Sequence, residues 1–532
     1  MLDHKDNLKL ALQNIKQGNK QEAIVILKKI LFFDDKNLLS NFYLGNVYAE
    51  LNNYELSKKY LNKSIIINPK FVEAINSLGI VYSKLKNFKE AEKLFKKSIE
   101  LNKNLPDSYN NIGILKRDQN FTEIAKDYFY QAIEVKENYF PAYLNLMELF
   151  ERTHKDELLN DIINKTKSVF PNNLISDLFK AKLKYKKKNF KDVINILEKI
   201  SFNNNEIIHE KSRLLNIAKS YDKLEIYDKA YEYFQRMNEY SKTNLPKYLN
   251  KEFYNSEVNK RKNFFKNITI SPWVKKKQDD REDPIFMIGF PRSGTTLLET
   301  ILRSHNDIEI IEEKPIVNKL IIEINKITNG DLNNLSKLNQ NEIIDLRNLY
   351  FDYRKTFIQS TEKKIIIDKL PLNTIFVGEI LRVFPESKFV FSLRHPCDCV
   401  LSCYFQNFGP SIAMSNFLKL NDAAEFYNNV MSIWSNYTKI FSPNVCYVKY
   451  ENLVINFEDT IKNIITFLNL DWSNKFYEFN ILAKKRGIIS TPSYYQVTES
   501  LNKNAINRWI NYEVNLEKVK STLDFWIKEY SY

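Results

Sequence analysis

An interval of 34 residues organises the first half of this chain. Leu44-Gly45, Leu78-Gly79 and Ile112-Gly113 fall in register at that interval. So do Tyr48 and Tyr82; Ser57, Ala91 and Ala125; Leu61, Phe95 and Phe129; Ile65, Ile99 and Ile133. Within each unit the apolar positions have helical spacing. Asn-rich turns such as Leu51-Asn-Asn-Tyr54 and Lys86-Asn-Phe88 divide each unit into two helices. Such a unit buries its apolar face only by stacking on its neighbours, so the repeat predicts a row of helix pairs. Small residues at the Gly45 and Ala91 types of position let the paired helices approach closely. The signal is strong from residue 38 to 139. It fades from 140 to 240, where helical patterns persist (Phe190–Leu197, Tyr227–Phe234) without the glycine. Residues 8–37 look like a degenerate opening unit, and length over period predicts about seven helix pairs.

The pattern changes further on. Residues 246–283 read as a junction: a charged helix, Ser271-Pro-Trp273, then a charge run from Lys275 to Asp283. After Pro284 come short β-branched runs between helices. Candidate strands are Ile285–Phe290, Lys364–Asp368, Lys388–Leu393 and Val445–Tyr450. Helical stretches follow at 296–304, 373–384, 396–406, 422–440 and 456–468. This alternation predicts an α/β domain with a mainly parallel sheet, with ligands at the carboxyl ends of its strands.

The first of those strands ends in Gly289-Phe-Pro-Arg-Ser-Gly-Thr-Thr296. A strand, a tight loop and a helix start form a cradle for an anion, because backbone N–H groups and the helix dipole converge there. Only ten glycines occur in the chain, and two of them frame this loop. The spacing is close to a Walker A loop, but Thr295 stands where that motif has lysine. The loop's cation is Arg292, whose planar fork suits a phosphate.

Lys and Arg total 79 against 65 Asp and Glu, a net charge of +14. The excess favours anionic partners. The basic residues are nevertheless scattered along Lys- and Asn-rich helices, with no compact Arg block among aromatics, and no nucleic-acid partner is expected. Four cysteines do not form a disulfide framework in a chain this long. Cys397-x-Cys399-x3-Cys403 lacks a fourth ligand nearby and reads as core, so no metal is expected. The opening residues lack a leader's charged start and apolar core, and no apolar run approaches the ~20 residues of a membrane helix. The expectation is a soluble cytoplasmic protein without a membrane span.

The repeats resemble the tetratricopeptide repeat. Residues 284–532 resemble the sulfotransferases that use 3′-phosphoadenylyl sulfate (PAPS), in particular the bacterial tetratricopeptide–sulfotransferase group and the protein-tyrosine sulfotransferases. Phe290-Pro-Arg-Ser-Gly-Thr-Thr-Leu297 is similar to that family's 5′-phosphosulfate loop. The resemblance implies Arg292, Ser293, Gly294, Thr295 and Thr296 as donor ligands. Phe389 to Ser402 is similar to the 3′-phosphate motif, implying Arg394 and Ser402. Asp368-Lys369-Leu-Pro371 resembles the lysine-containing segment. Val448-Lys-Tyr-Glu-Asn-Leu-Val454 implies Tyr450 near the nucleotide. Thr491 to Val497 with Arg508-Trp509 resembles the late covering loop, where Ser493 and Arg508 would reach phosphate oxygens. The tyrosine-sulfotransferase pattern has a further arginine where this chain has Gln406.

The implied organisation is a helical repeat solenoid (1–245), a junction (246–283) and a P-loop-like α/β sulfotransferase domain (284–532). PAPS is already activated, so in-line sulfuryl transfer needs positioning and charge stabilisation more than a metal. Lys369 and Ser493 are the candidates for the leaving oxygen. The resemblance puts the general base at Glu313, with adjacent Glu312 as the alternative. PAP would be the product. The acceptor is a hydroxyl group (peptide tyrosine, sugar, or a small alcohol or phenol), with a protein or peptide held by the repeat groove slightly favoured. The competing reading is a repeat scaffold carrying a P-loop kinase or a silent nucleotide-binding domain.

Overall fold

Asparagines start the helices of the repeats. Asn37, Asn53 and Asn87 accept hydrogen bonds from the N–H groups of Ser40, Leu56 and Glu90. Each satisfies a donor that the first helical turn leaves open, a contact worth about 1 kcal/mol. The computed structural model describes residues 4–203, 206–246, 249, 251–268, 279–358, 365–409, 411–485, 501 and 503–532. The chain divides into two compact units, Met1–Lys187 and Lys188–Tyr532.

The first unit is helical throughout its described elements. Its helices are α1 (His4–Gln17), α2 (Lys20–Phe33), α3 (Leu38–Glu50), α4 (Tyr54–Ile67), α5 (Val72–Lys84), α6 (Phe88–Leu101), α7 (Pro106–Asp118), α8 (Thr122–Val135), α9 (Phe140–Arg152), α10 (Asp156–Val169) and α11 (Leu174–Lys186). The turn inside each pair is made the same way. Asn52, Lys86, Asn120 and His154 are left-handed, with φ of 59°, 60°, 67° and 57°. The next N–H then reaches back to close the preceding helix: Asn53 to Tyr48, Asn87 to Tyr82, Phe121 to Lys116, Lys155 to Phe150. The repeat glycines leave no room for a side chain. A Cβ on Gly45 would lie 2.7 Å from Leu61 Cγ, and on Gly79 or Gly113 it would lie 2.5 Å from the ring of Phe95 or Phe129. One interval further on, Met147 and Ile163 take the places of the glycine and the phenylalanine, both buried. The volume moves across the helix pair while the helix boundaries keep their spacing, so the architecture continues where the sequence signal fades.

The second unit opens with α12 (Phe190–Leu197), α13 (Ile207–Lys223), α14 (Tyr227–Thr243) and α15 (Lys251–Asn267). The charged helix expected in the junction is α15. It is seated by a buried bridge from Arg261 to Glu379 at 2.7 Å. The rest is an α/β layer structure: β1 (Ile285–Gly289), α16 (Thr295–Leu302), β2 (Ile308–Glu312), α17 (Ile316–Ile327), α18 (Gln340–Lys355), β3 (Ile365–Lys369), α19 (Val377–Val383), β4 (Lys388–Leu393), α20 (Pro396–Tyr404), α21 (Leu420–Phe441), β5 (Asn444–Lys449), α22 (Tyr450–Ile455), α23 (Phe457–Phe467) and α24 (Phe479–Lys485), closed by a helix at Glu513–Glu529. All five strands are parallel, in the order β2-β3-β1-β4-β5. Parallel neighbours need a crossover between them, and one apolar core joins the strands to Leu298 and Ile301 of α16 and to Ile461 and Ile464 of α23.

Four strands were expected and the structure has a fifth, β2. Ile308-Glu-Ile-Ile-Glu312 is short and breaks strict alternation at Ile310-Ile311 between its two glutamates, so it does not stand out by period, and pairing with β3 decides it. Helices at 316–327, 340–355 and 513–529 were likewise not anticipated. The helix expected at 373–384 starts as a 3-10 turn over Pro371–Phe376 and becomes α-helical from Val377.

Candidate active site

The loop after β1 is built from unusual backbone. Gly294 is left-handed at φ 99° and caps α16. A Cβ there would lie 2.6 Å from the Tyr450 ring, so glycine is required by both space and conformation. Arg292 is also left-handed, at φ 68°. Non-glycine residues reach that region at a cost and concentrate at functional sites. The loop is tied below by Thr374, whose hydroxyl accepts from the Gly289 N–H at 3.0 Å and lies 2.9 Å from the Gly289 carbonyl. Ser392 of β4 donates to the Ser293 carbonyl at 2.8 Å. Ser293 and Thr295 are buried, Thr296 is half-buried, and Ser293 Oγ has no hydrogen-bond partner.

The second motif meets the first. Arg394 follows β4, and its Nη1 donates to the Arg292 carbonyl at 3.2 Å. Its Nη2 donates to the Ala505 carbonyl at 2.5 Å, and its guanidinium lies 5.0 Å from the Tyr450 ring centroid. Its Nε is buried without a partner. Ser402, on α20, accepts from Arg292 Nε at 3.0 Å. Ser402 therefore pairs with the cation of the first motif, while Arg394 is held by two backbone carbonyls with the Asp398 carboxylate 3.8 Å away. Gln406 turns to the Asn407 carbonyl at 3.4 Å. Burial pushes the Arg292 guanidinium down to about 10, and the positive charges of Arg394 and Arg508 act in the same direction. Arg508 itself is bound by Asp222, with Nη2–Oδ1 at 2.9 Å.

A second cluster sits at the carboxyl ends of β2 and β3. Lys369 is fully buried, its Nζ 2.9 Å from Glu313 Oε1 and 3.1 Å from Glu299 Oε2. Burial would lower its pKa, but Glu299, Glu313 and Glu312 outweigh that and hold it above the ordinary lysine value. Glu313 is left-handed at φ 48°, and its N–H donates to the Lys369 carbonyl at 2.8 Å. Its side chain is 43% exposed, so one carboxylate joins the buried ammonium to solvent. Glu312 is the last residue of β2, paired with Lys369 in register. Preceding Lys369, Asp368 is buried and pushed up to about 7 by desolvation, with Tyr350 donating to it at 3.0 Å.

The neighbouring groups are structural. The His395 ring stacks on Trp509 at 4.9 Å, and burial with Arg394 nearby pushes it down to about 4, so it is neutral. Cys397, Cys399 and Cys403 are buried free thiols. Burial raises all three, Cys397 to about 12. Cys403 hydrogen-bonds the Pro291 carbonyl at 3.3 Å, which steadies the loop. Among the described residues no group of His, Cys, Asp or Glu side chains could hold a metal ion. No helix among them is long and apolar enough to cross a membrane.

Of the expected site residues, the structure brings Arg292, Ser293, Gly294, Thr295, Thr296, Arg394, Ser402 and Tyr450 around one loop, with Arg508 close enough to affect Arg292. It brings Glu313 and Lys369 together at the sheet edge. Ser493, with the whole stretch from Thr491 to Val497, lies outside the described residues. Glu299, Thr374, Ser392 and Asp222 were not anticipated. For Glu299 a signal exists: it stands one turn after Thr295 on the same helix face.

With this geometry in view, similarity to known proteins is informative. Residues 284–474 match the sulfotransferase family. Residues 40–71 and 72–105 match the tetratricopeptide repeat. The chain therefore carries tetratricopeptide repeats followed by a sulfotransferase-family domain. An uncharacterized protein of Aquifex aeolicus is 27% identical over 328 residues, 59% of this chain and 41% of that protein. Protein-tyrosine sulfotransferase 1 of Danio rerio is 24% identical over 236 residues, 42% of this chain and 65% of its own length. Protein-tyrosine sulfotransferase 2 of Gallus gallus is 24% identical over 237 residues, 43% and 63%. The chain thus spans less than two thirds of the length of these relatives. Among solved structures, a tetratricopeptide repeat protein from Parabacteroides merdae is 14% identical with a TM-score of 0.35, covering 44% of this chain and 91% of that one.

Proposed function

We propose that residues 284–532 transfer the sulfuryl group of PAPS to a hydroxyl acceptor, releasing PAP. One observation carries the reading. Two arginines from separate motifs, Arg292 and Arg394, converge on a left-handed loop at a helix start, and Ser293 Oγ and Arg394 Nε are buried there without partners. Buried polar atoms without partners are costly, and phosphate oxygens would satisfy them. Glycine at 294, where a side chain would strike Tyr450, lets the backbone approach such a ligand.

The donor supplies an activated sulfuryl group. The chain's residues supply the rest. Arg292, Ser293, Gly294, Thr295 and Thr296 hold the 5′ end; Arg394 and Ser402 hold the 3′-phosphate; Tyr450 and Arg508 border the nucleotide. Glu313, partly exposed, takes the acceptor's proton. Lys369, kept charged by its three carboxylate neighbours, stabilises charge on the leaving oxygen, and Ser493 assists in that role. No metal is needed for these roles. Thr295 in place of a Walker lysine weighs against an ATP-using enzyme.

The repeats over 1–245 capture the acceptor, with 246–283 as the junction to the sulfotransferase domain. The likeness to protein-tyrosine sulfotransferases favours a phenolic hydroxyl on a peptide, with glycan hydroxyls as the competing acceptors. The four unpaired cysteines fit a reducing compartment, the cytoplasm. Thermal shift with PAP against ATP plus magnesium tests the donor: stabilisation by PAP alone is expected, and stabilisation by ATP alone would replace this reading with a kinase. Mass spectrometry of a cell extract incubated with enzyme and labelled PAPS identifies the acceptor.

A further inference from the structure

Asp222 lies in the last turn of α13, far in sequence from every donor motif, yet it touches the donor region. Its Oδ1 accepts from Arg508 Nη2 at 2.9 Å, from Arg508 Nε at 3.3 Å and from the Tyr512 hydroxyl at 2.6 Å. The Arg508 guanidinium also lies 5.3 Å from the Phe405 ring centroid and 6.0 Å from that of Tyr512. The helix that pairs with α13 is anchored to the same region. On the partner helix α14, Phe234 stacks on Phe405 at 3.8 Å, and Asn238 donates to the Tyr404 carbonyl at 2.7 Å. Tyr227 packs edge-on against Tyr512 at 5.4 Å.

Three arginines, 292, 394 and 508, gather here, and like charges at this range repel. A long arginine side chain with no counter-ion would relax toward solvent. The contact uses the Nε–Nη2 edge of Arg508. A guanidinium carries five N–H donors in a fixed fork, so an anion can still be met on the remaining side.

We propose that Asp222 is a positioning residue of the donor site: it holds Arg508 beside Arg292 and Arg394, and so makes the helix pair α13–α14 part of donor binding. The proposal rests on the reading of those three arginines as donor ligands. It means that the helices preceding the α/β domain do more than support it. A shift of α13 would change donor affinity directly.

Calorimetry with PAP tests this on the full chain, using Asp222→Ala, Asp222→Asn, Arg508→Ala and the Asp222→Ala/Arg508→Ala double variant. Arg508→Ala should weaken PAP binding by about 10-fold or more. Asp222→Ala should weaken it by about 5-fold or more, and Asp222→Asn by less, since the amide oxygen still accepts a hydrogen bond. The deciding measurement is Asp222→Ala in the Arg508→Ala background, where it should change affinity by no more than about twofold, because its target is gone. A purely structural Asp222 would cost the same factor in both backgrounds, which overturns the proposal. So would wild-type or tighter PAP binding in Asp222→Ala. If that variant does not fold, Asp222→Asn compared in the two backgrounds decides by the same rule. Wild-type protein that fails to bind PAP removes the donor reading itself. PAP binding that survives with Asp222 irrelevant removes only this inference.

Discussion

Glu313 and Lys369 are joined twice. The Glu313 carboxylate lies 2.9 Å from Lys369 Nζ, and the Glu313 N–H donates to the Lys369 carbonyl at 2.8 Å. The backbone bond fixes the left-handed turn after β2, and that turn delivers the carboxylate to the ammonium. A half-exposed carboxylate is thereby held against a fully buried ammonium at the carboxyl edge of the sheet.

If Glu313 is the general base, Glu313→Gln keeps the size and the backbone bond but cannot accept the proton. Turnover should fall about 100-fold or more, with PAP affinity near wild type. Steady-state kinetics with parallel PAP calorimetry check this. Normal turnover in Glu313→Gln with loss in Glu312→Gln would move the base by one residue.

If Arg292 and Arg394 are donor ligands, Arg292→Ala and Arg394→Ala each remove a charge-assisted contact. Each should cost about 2–4 kcal/mol of PAP binding, or about 30- to 1000-fold, while circular dichroism stays native. Unchanged PAP affinity in both variants would sink the donor assignment.

Lys369→Met leaves the 2% exposed Glu299 carboxylate facing an apolar chain, while Arg303 stays 2.7 Å from it. Stability should fall by about 2–4 kcal/mol by denaturant titration, and Glu299→Gln added to it should restore part of the loss. No restoration would mean that Lys369 contributes packing rather than charge balance.

Two buried groups should give opposite pH signatures. Asp368 is raised to about 7, so the folded state keeps a proton that the unfolded chain releases near 4. Its contribution to stability is present at low pH and is lost as pH rises from about 4 to 7. His395 is lowered to about 4, so the unfolded chain binds a proton below about 6.5 that the folded state refuses. Its contribution is present above about 6.5 and is lost as pH falls toward 4. Asp368→Asn should therefore raise the melting temperature relative to wild type at pH 8, with the gain shrinking toward pH 4. His395→Gln should flatten the acid limb. Parallel pH dependence in Asp368→Asn and wild type would refute the first assignment.

Gly79→Ala would put a Cβ 2.5 Å from the Phe95 ring. The pair must part or the ring must leave its rotamer, at about 1–3 kcal/mol. Gly79→Ala combined with Phe95→Leu should lose less than the sum of the two single changes.

By itself the sequence determined what depends on near neighbours. The interval of Gly45, Gly79 and Gly113, the Asn-rich turns, and the Gly-framed loop with Arg292 are local patterns. Local backbone geometry follows from them, because helix period, capping and left-handed turns are set within a few residues. The motif order from Arg292 to Arg508 was legible for the same reason. Tertiary structure decided the rest. It alone made Ile308–Glu312 a strand, since a short strand with two glutamates is stabilised by its neighbour and not by its own pattern. It paired Ser402 with Arg292, brought Glu299 to Lys369, and placed Asp222 on Arg508, 286 residues away in the chain. Charge partners in a folded interior are chosen by which elements pack together, and no sequence spacing encodes that choice.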